Sequence, residues 1–334
     1  MTALSTPRTV GAQRWRTAFA AVEGPELVLL GVIALLWVGL ALGTDTFLSG
    51  VNVQNILSSV APVALIGIGM TAVIVTGGID VSVGSAVAVV MVVVGKAITT
   101  QHVGIGTALL IAVVVGGLLG AFNGAVIALT GIHPIVMTFA TLNLFRFLSL
   151  EIFGPGNLDG VPDTLRLLGG GGSGRLLGVP NSWWLSMLIS AAVWVYMRHR
   201  PSGRHWYAIG GDAKAARLAG IRVRRRVVAA YVLVGVMAGL AGCVLIGSGG
   251  TVQQNSGTGL ELKVIAAVVI GGTSILGGRG TVLGTLLGAL LVGTVTSAVT
   301  ILNWPSQLAN LFVGIFIVLA VGTDVLRERR RRAL

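Results

Sequence analysis

The sequence predicts an all-α polytopic membrane protein of about ten transmembrane helices, with the N- and C-termini cytoplasmic. Three observations carry that expectation. Ten apolar stretches lie near residues 25–43, 54–76, 82–100, 106–130, 134–152, 182–198, 227–248, 262–278, 281–302 and 306–323, and a helix needs about 20 apolar residues to cross the hydrocarbon core. Of the 334 residues, 54% are hydrophobic and only 10% charged, where a soluble domain carries about a quarter charged. The basic residues are also segregated, into Arg8, Arg14 and Arg16, the 199–226 loop, Arg279, and the run from Arg327 to Arg332. Short basic loops resist translocation, and a single parity puts all four groups inside. The chain then divides into a cytoplasmic tail at 1–24, a transmembrane domain at 25–323 with a cytoplasmic loop at 199–226, and a basic cytoplasmic tail at 324–334.

Composition excludes several classes. The net charge of +12 reports topology rather than nucleic-acid binding, because the arginines flank helices and do not interleave with aromatics on a soluble face. The one cysteine, Cys243, lies inside a span, and the four histidines are scattered. No cluster has metal-ligand spacing, so neither metal nor cofactor is expected. Residues 1–23 lack the features of a cleavable signal. The only Gly-Lys, Gly95-Lys96, precedes Ala97 and does not complete a P-loop. Ion-coupled carriers place ionisable groups at mid-membrane, whereas the 11 acids here sit at span edges or in loops. No nucleophile–base set gathers at one membrane face. Energy is therefore expected to enter through a partner.

Glycine is abundant, at 50 residues, and patterned. Gly116, Gly120 and Gly124 repeat every fourth position, as do Gly280, Gly284 and Gly288, and also Gly235 and Gly239. Such stripes let helix backbones approach closely. The segments Ile74-Val-Thr-Gly-Gly-Ile-Asp-Val-Ser-Val-Gly84 and Val268-Val-Ile-Gly-Gly-Thr-Ser-Ile-Leu-Gly-Gly278 resemble each other. Whether they mark an internal repeat stays open, since the match is short. In the 199–226 loop, Asp212 is placed to N-cap a short helix and Gly220 to close it in the left-handed conformation. Ala215, Leu218 and Ala219 would form its apolar face, flanked by Lys214 and Arg217.

Four segments resemble the signature of monosaccharide-type ABC importer permeases, the ribose-transport permease family. They are Thr76-Gly-Gly-Ile-Asp-Val-Ser-Val-Gly-Ser85, Asn123-Gly124 with Gly131-Ile-His-Pro-Ile-Val-Met-Thr-Phe-Ala-Thr141, Gly203-Arg-His-Trp-Tyr-Ala-Ile-Gly-Gly-Asp-Ala-Lys-Ala-Ala-Arg-Leu-Ala-Gly-Ile221, and the stretch from Glu261 to Thr281. The resemblance spans roughly 25–322 and departs at His133, ahead of Pro134, and at Gly169–Gly172. It implies one half of a permease dimer, with a second copy or a paralogue, in the inner membrane. It also implies a cytoplasmic ABC ATPase of tandem cassettes and a periplasmic or lipid-anchored sugar-binding protein. Surrounding lipid is the remaining partner.

On that resemblance Tyr207, Gly210, Asp212, Lys214, Ala215, Ala216, Arg217 and Gly220 form the ATPase-coupling segment. Asp80, Ser82, Ser85, Asn123, Thr138 and Asn143 are candidates for the substrate path or gate, and Asn55, Ser58, Thr141, Ser297 and Asn310 are further polar side chains on or near spans that could line it. For each of these polar side chains, helix–helix hydrogen bonding is the competing reading, and Asp80 can instead N-cap the third span. Arg146 and Glu151 are placed to pair. A self-sufficient carrier for small polar solutes is the alternative function.

Overall fold

A computed structural model describes residues 24–154, 158, 163–170 and 174–332. The N-terminal tail before Gly24, Asp159, Gly171 and Gly172 lie outside the described residues. The order of elements is α1 (Gly24–Gly43), α2 (Gly50–Val75), α3 (Val83–Gln101), α4 (Ile105–Thr130), α5 (Pro134–Phe153), α6 (Asp163–Gly169), β1 (Arg175–Leu176), β2 (Val179–Pro180), α7 (Asn181–His199), α8 (Pro201–Gly211), α9 (Ala213–Leu218), α10 (Val223–Gly249), α11 (Leu260–Ile270), α12 (Val282–Ile301) and α13 (Gln307–Arg332). The two strands form an antiparallel hairpin, Leu176 opposite Val179.

Each of the ten expected stretches forms a helix, and seven are long and apolar enough to cross a membrane: α1 to α5, α10 and α12. The other three differ for separate reasons. In α7, Ser182, Ser186 and Ser190 form a buried polar row that lowers its hydropathy. The apolar part of α13 is confined to Gln307–Gly322. The helix expected over 262–278 stops at Ile270 as an 11-residue α11, about 16 Å long, or roughly half the hydrocarbon thickness. The Gly271-Gly-Thr-Ser-Ile-Leu-Gly-Gly278 segment beyond it bends into a turn.

The core is α2 and α10. The most hydrophobic window of α2 is 89% buried, against 17% in α1 and 22% in both α4 and α5. The outer helices thus keep apolar faces outward, as a bilayer permits. Apolar burial gives little drive between helices in lipid, so close packing carries the association. It does so most clearly between the antiparallel α4 and α10. A Cβ on Gly116 would overlap the Gly235 carbonyl, one on Gly120 the Tyr231 carbonyl, and one on Gly239 the Ala112 carbonyl. Gly124 meets Val228 and Tyr231 in the same row. On α12, Gly284 and Gly288 lie against Gly271 and Ala267 of α11. The expected third member of that stripe, Gly280, instead precedes α12 and packs on the Thr273 side chain. It belongs to the turn, where the helical four-residue spacing does not apply.

The 199–226 loop holds two helices where one was expected. The additional α8 folds back on α7 and α10: Trp206 is buried, donates its indole N–H to the Arg226 carbonyl at 2.9 Å, and packs its ring against Tyr196.

Gly120→Leu is expected to lower the melting temperature of the detergent-purified protein, since overpacking costs about 1–3 kcal/mol. Gly31→Leu on α1, where a Cβ meets nothing within 4 Å, should leave it unchanged. Equal melting of the two variants would contradict backbone-close packing of α4 on α10.

Candidate functional site

Helix α2 ends in a Schellman motif, which satisfies the last free carbonyls through a left-handed glycine. Gly77, at φ 85°, donates its N–H to the Ile74 carbonyl at 2.8 Å, and Gly78 donates to Val73 at 3.1 Å. Helix α11 ends the same way. Gly272, at φ 88°, donates to Val269 at 2.9 Å, and Thr273 donates to Val268 at 3.2 Å. The two similar sequence segments are therefore two copies of one helix stop, displaced by one residue from their best sequence match.

The α2 stop meets the turn that follows α11 at the end of α8. The Gly278 N–H donates to the Val75 carbonyl at 2.9 Å, and a Cβ on Gly210 would overlap both the Val75 carbonyl and the Gly278 amide. Tyr207 adds a hydrogen bond from its hydroxyl to the Gly280 carbonyl at 3.0 Å. Helix α9 follows directly. Asp212 accepts from the Lys214 and Ala215 N–H groups at 2.7 and 3.0 Å, and this donation, Ala215 first, holds its carboxyl below the usual carboxylate range. The charged cap is complete at neutral pH and weakens only as pH falls through that lowered value. Gly220, at φ 82°, closes α9 in a third Schellman motif, with Gly220 donating to Arg217 and Ile221 to Ala216, both at 3.0 Å. Ala216 is buried, whereas Lys214, Ala215, Arg217, Leu218 and Ala219 point outward. Leu218 is 91% exposed.

Just inside this end lies a closed polar cluster. Asp80 accepts from the Ser82 N–H and hydroxyl at 2.9 and 2.6 Å, and Asn123 donates to the Ser82 hydroxyl at 2.8 Å. Thr138 accepts from the Val81 N–H and donates to the Ile79 carbonyl, each at 3.2 Å. Asp80 makes an Asx turn, and the N-cap position of α3 falls to Ser82. Asp80, Ser82, Ser85, Asn123 and Thr138 are all buried. Asn143 is apart from them: it is exposed on α5 and donates to its own helix at Phe139.

A second polar region opens at the opposite end of the bundle. It is a cavity of about 510 Å³ whose lining includes Gln54, Asn55, Ser58, Ser59, Arg175, Ser248, Lys263 and Thr296. Pro62 inside α2 has no N–H to give the Ser58 carbonyl, so the usual helical donor is missing where Ser58 lines the cavity. The segment before α11 runs down beside α3: Val252 lies by Gly95, and Gly257 is pressed against Gly84. Eleven residues of helix separate those glycines, about 16 Å, so α11 begins deep within the bundle. Arg146 fixes this segment by donating to the Ser256 carbonyl at 2.9 Å, and its charge interacts with Glu261. The expected partner, Glu151, is exposed. Lys263 lies two residues beyond Glu261, so the two point to opposite sides of the first turn, Glu261 toward Gly84 and Lys263 into the cavity.

Sequence reasoning thus placed the α9 caps, and it named Asp80, Ser82, Asn123 and Thr138 singly, and Asn55 and Ser58 of the cavity wall, without the cluster or the cavity they form. Its signal was the polar series Gln54, Asn55, Ser58 and Ser59 ahead of a helical proline. Among the described residues no group of His, Cys, Asp and Glu is arranged to hold a metal ion.

Asp80→Ala would leave the Ser82 N–H and hydroxyl buried without their acceptor, at about 1–3 kcal/mol for each unsatisfied group. It is expected to lower the melting temperature well below that of Asp80→Asn, which keeps an acceptor oxygen. Comparable melting of both variants with the unsubstituted protein would show that the cluster does not hold this turn.

A family model described as branched-chain amino acid transport system / permease component matches residues 52–321. The ribose import permease protein RbsC of Escherichia coli (strain K12) is 34% identical over 324 residues, 96% of this chain and 98% of the relative. Its Bacillus subtilis (strain 168) counterpart is 37% identical, with 84% of this chain and 86% of the relative covered. The autoinducer 2 import system permease protein LsrC of Photorhabdus laumondii is 35% identical, with 89% and 87% covered. No solved structure matches the chain. With a family match across most of its length and relatives of this similarity covered almost end to end, the chain belongs to the permease family of ABC import systems that includes the ribose importers, and is a multi-pass inner-membrane protein.

Proposed function

We propose that this chain is the membrane-spanning subunit of an importer for a monosaccharide or related small polyol, driven by a separate cytoplasmic ATPase that pushes on α8 and α9. The observation that carries the reading is the packing of Gly210 against Val75, the last residue of α2, and against Gly278 in the turn that follows α11. A displacement of α8 reaches the end of α2 and that turn through backbone contacts, with no flexible side chain between. The relatives that import ribose and autoinducer 2 support a sugar-like cargo. In this reading the α8–α9 end is cytoplasmic, and α7, the α11 segment and α13 complete ten crossings with both termini inside. The exposed face of α9 docks on the ATPase, with tandem cassettes serving two permease copies or a permease and its paralogue. A sugar-binding protein delivers cargo at the opposite end, where the polar cavity offers amide, hydroxyl and ammonium groups suited to sugar hydroxyls. The Asp80–Ser82–Asn123 cluster, with Thr138, then fixes the inner turn beside the path.

Ala216→Trp and Gly210→Leu are expected to remain membrane-inserted, yet to lower uptake of radiolabelled ribose at least about tenfold while the co-purified ATPase still hydrolyses ATP. Lys263→Ala should reduce uptake without releasing the ATPase. Ribose flux through vesicles holding the permease alone, or labelling of a cysteine placed at position 214 only from outside the cell, would overturn the assignment.

A further inference from the structure

Beyond the path and the coupling segment, one groove has no assigned occupant. It encloses about 710 Å³ between the end of α4, the start of α10 and α9. Its walls are apolar, with Ala125, Ala128 and Leu129 on one side and Val228 on the other, while Arg217, Arg222, Arg224 and Arg225 stand at its mouth. Among the described residues no side-chain hydrogen bond or ion pair engages any of these four guanidinium groups, and no carboxylate lines the groove. The apolar wall continues along α4 as a stripe at helical spacing, Leu110, Val114, Leu118 and Phe122, each between 46% and 64% exposed, ending at Leu129.

We infer that this groove binds an anionic phospholipid of the cytoplasmic leaflet, with its phosphate among the arginines and an acyl chain along the α4 stripe. The chemistry requires an amphiphile. Four unpaired guanidinium groups call for a phosphate, which arginine grips through paired N–H donors. The wall behind them offers only dispersion and apolar contact. Basic pockets between transmembrane helices at this membrane face suit anionic headgroups. A soluble protein docking from the cytoplasm would cover the arginines and leave the α4 stripe uncovered. Because α9 borders the groove, bound lipid also steadies the helix on which coupling is proposed to act. The inference rests on the α8–α9 end lying at the cytoplasmic surface, and it is tested on the purified full-length permease without ATPase or sugar, so it can fail without the transport reading failing.

The experiment compares dioleoyl phosphatidylglycerol, cardiolipin and dioleoyl phosphatidylcholine by native mass spectrometry and by melting in detergent. The two anionic lipids should bind and raise the melting temperature, and phosphatidylcholine should do neither. The triple variant Arg222→Gln, Arg224→Gln, Arg225→Gln should bind phosphatidylglycerol about a hundredfold more weakly, since each basic side chain near an anionic surface contributes roughly fivefold. Arg217 is left in place because of its position on α9. Ala128→Trp fills the apolar wall with the arginines intact and should also abolish the shift. Equal stabilisation by phosphatidylcholine, an unchanged response in both variants, or full stabilisation by inorganic phosphate alone would overturn the lipid site. So would loss of ATPase co-purification in the triple variant with lipid binding intact, which would reassign the arginines to a protein contact.

Discussion

The arrangement depends on one crowded point, where the last turn of α8 meets the end of α2 and the turn that follows α11. Only glycine permits it. At Gly210 the space a Cβ needs is taken by the Val75 carbonyl and the Gly278 amide, which bond to each other. Three backbone segments thus interlock without intervening side chains. Contacts of this kind are stiff, because packed interiors do not deform continuously. The Schellman motifs make the approach possible. Each turns its helix end back on itself within two residues, satisfies the last carbonyls internally, and leaves the following glycine backbone free to pack.

The short α11 gives this point its reach. The turn that follows it touches α8, while its first turn borders the cavity through Leu260 and Lys263. A helix that begins inside the bundle needs a solution for the chain leading into it, since exposed backbone is not tolerated in lipid. The segment from Val252 to Gly259 is accordingly shielded by α3 and α5: Gly84 admits Gly257 closely, and Arg146 donates to the Ser256 carbonyl. Transporters of several folds place such broken helices at the substrate path, and here the break joins a polar cavity to a glycine-lined stop.

Legibility in the sequence followed the range of the interaction. The helices of α1 to α5 were readable from apolar length, and the caps of α9 from Asp212 and Gly220, because both signals are local. Helix α8 was not. It contains Gly203, Gly210 and Gly211, and its helical form comes from Trp206 reaching the Arg226 carbonyl and from Gly203 lying close on the Tyr196 backbone. Those are tertiary contacts, and they override weak propensity. The early end of α11 was not placed because Gly271-Gly-Thr-Ser274 is followed by Ile275 and Leu276, and glycines recur inside other spans of this chain without ending them. The inward direction of Lys263 depends on where the first turn of α11 starts, which composition does not encode. Asp80, Ser82 and Asn123 stand out in sequence as polar groups in or beside spans, yet only their mutual distances show that they bond one another, with the buried Asn123 Oδ1 alone left without a partner.

That mutual bonding separates the two polar regions by what each can do. In the Asp80 cluster most donors and acceptors are committed to fixed partners, so it suits a turn that must keep its shape while helices move around it. The cavity has the opposite character. Its amides, hydroxyls and the Lys263 ammonium stand along an open surface, and the Ser58 carbonyl has lost its helical donor to Pro62. Groups so placed can exchange water for the hydroxyls of a small polar solute with little reorganisation. If α8 is where force enters, that force is applied to the turn that follows α11 and carried along the helix, about 16 Å, to its first turn, where the exchangeable groups are. The committed cluster lies beside this route and supports it, while the open one lies at its end.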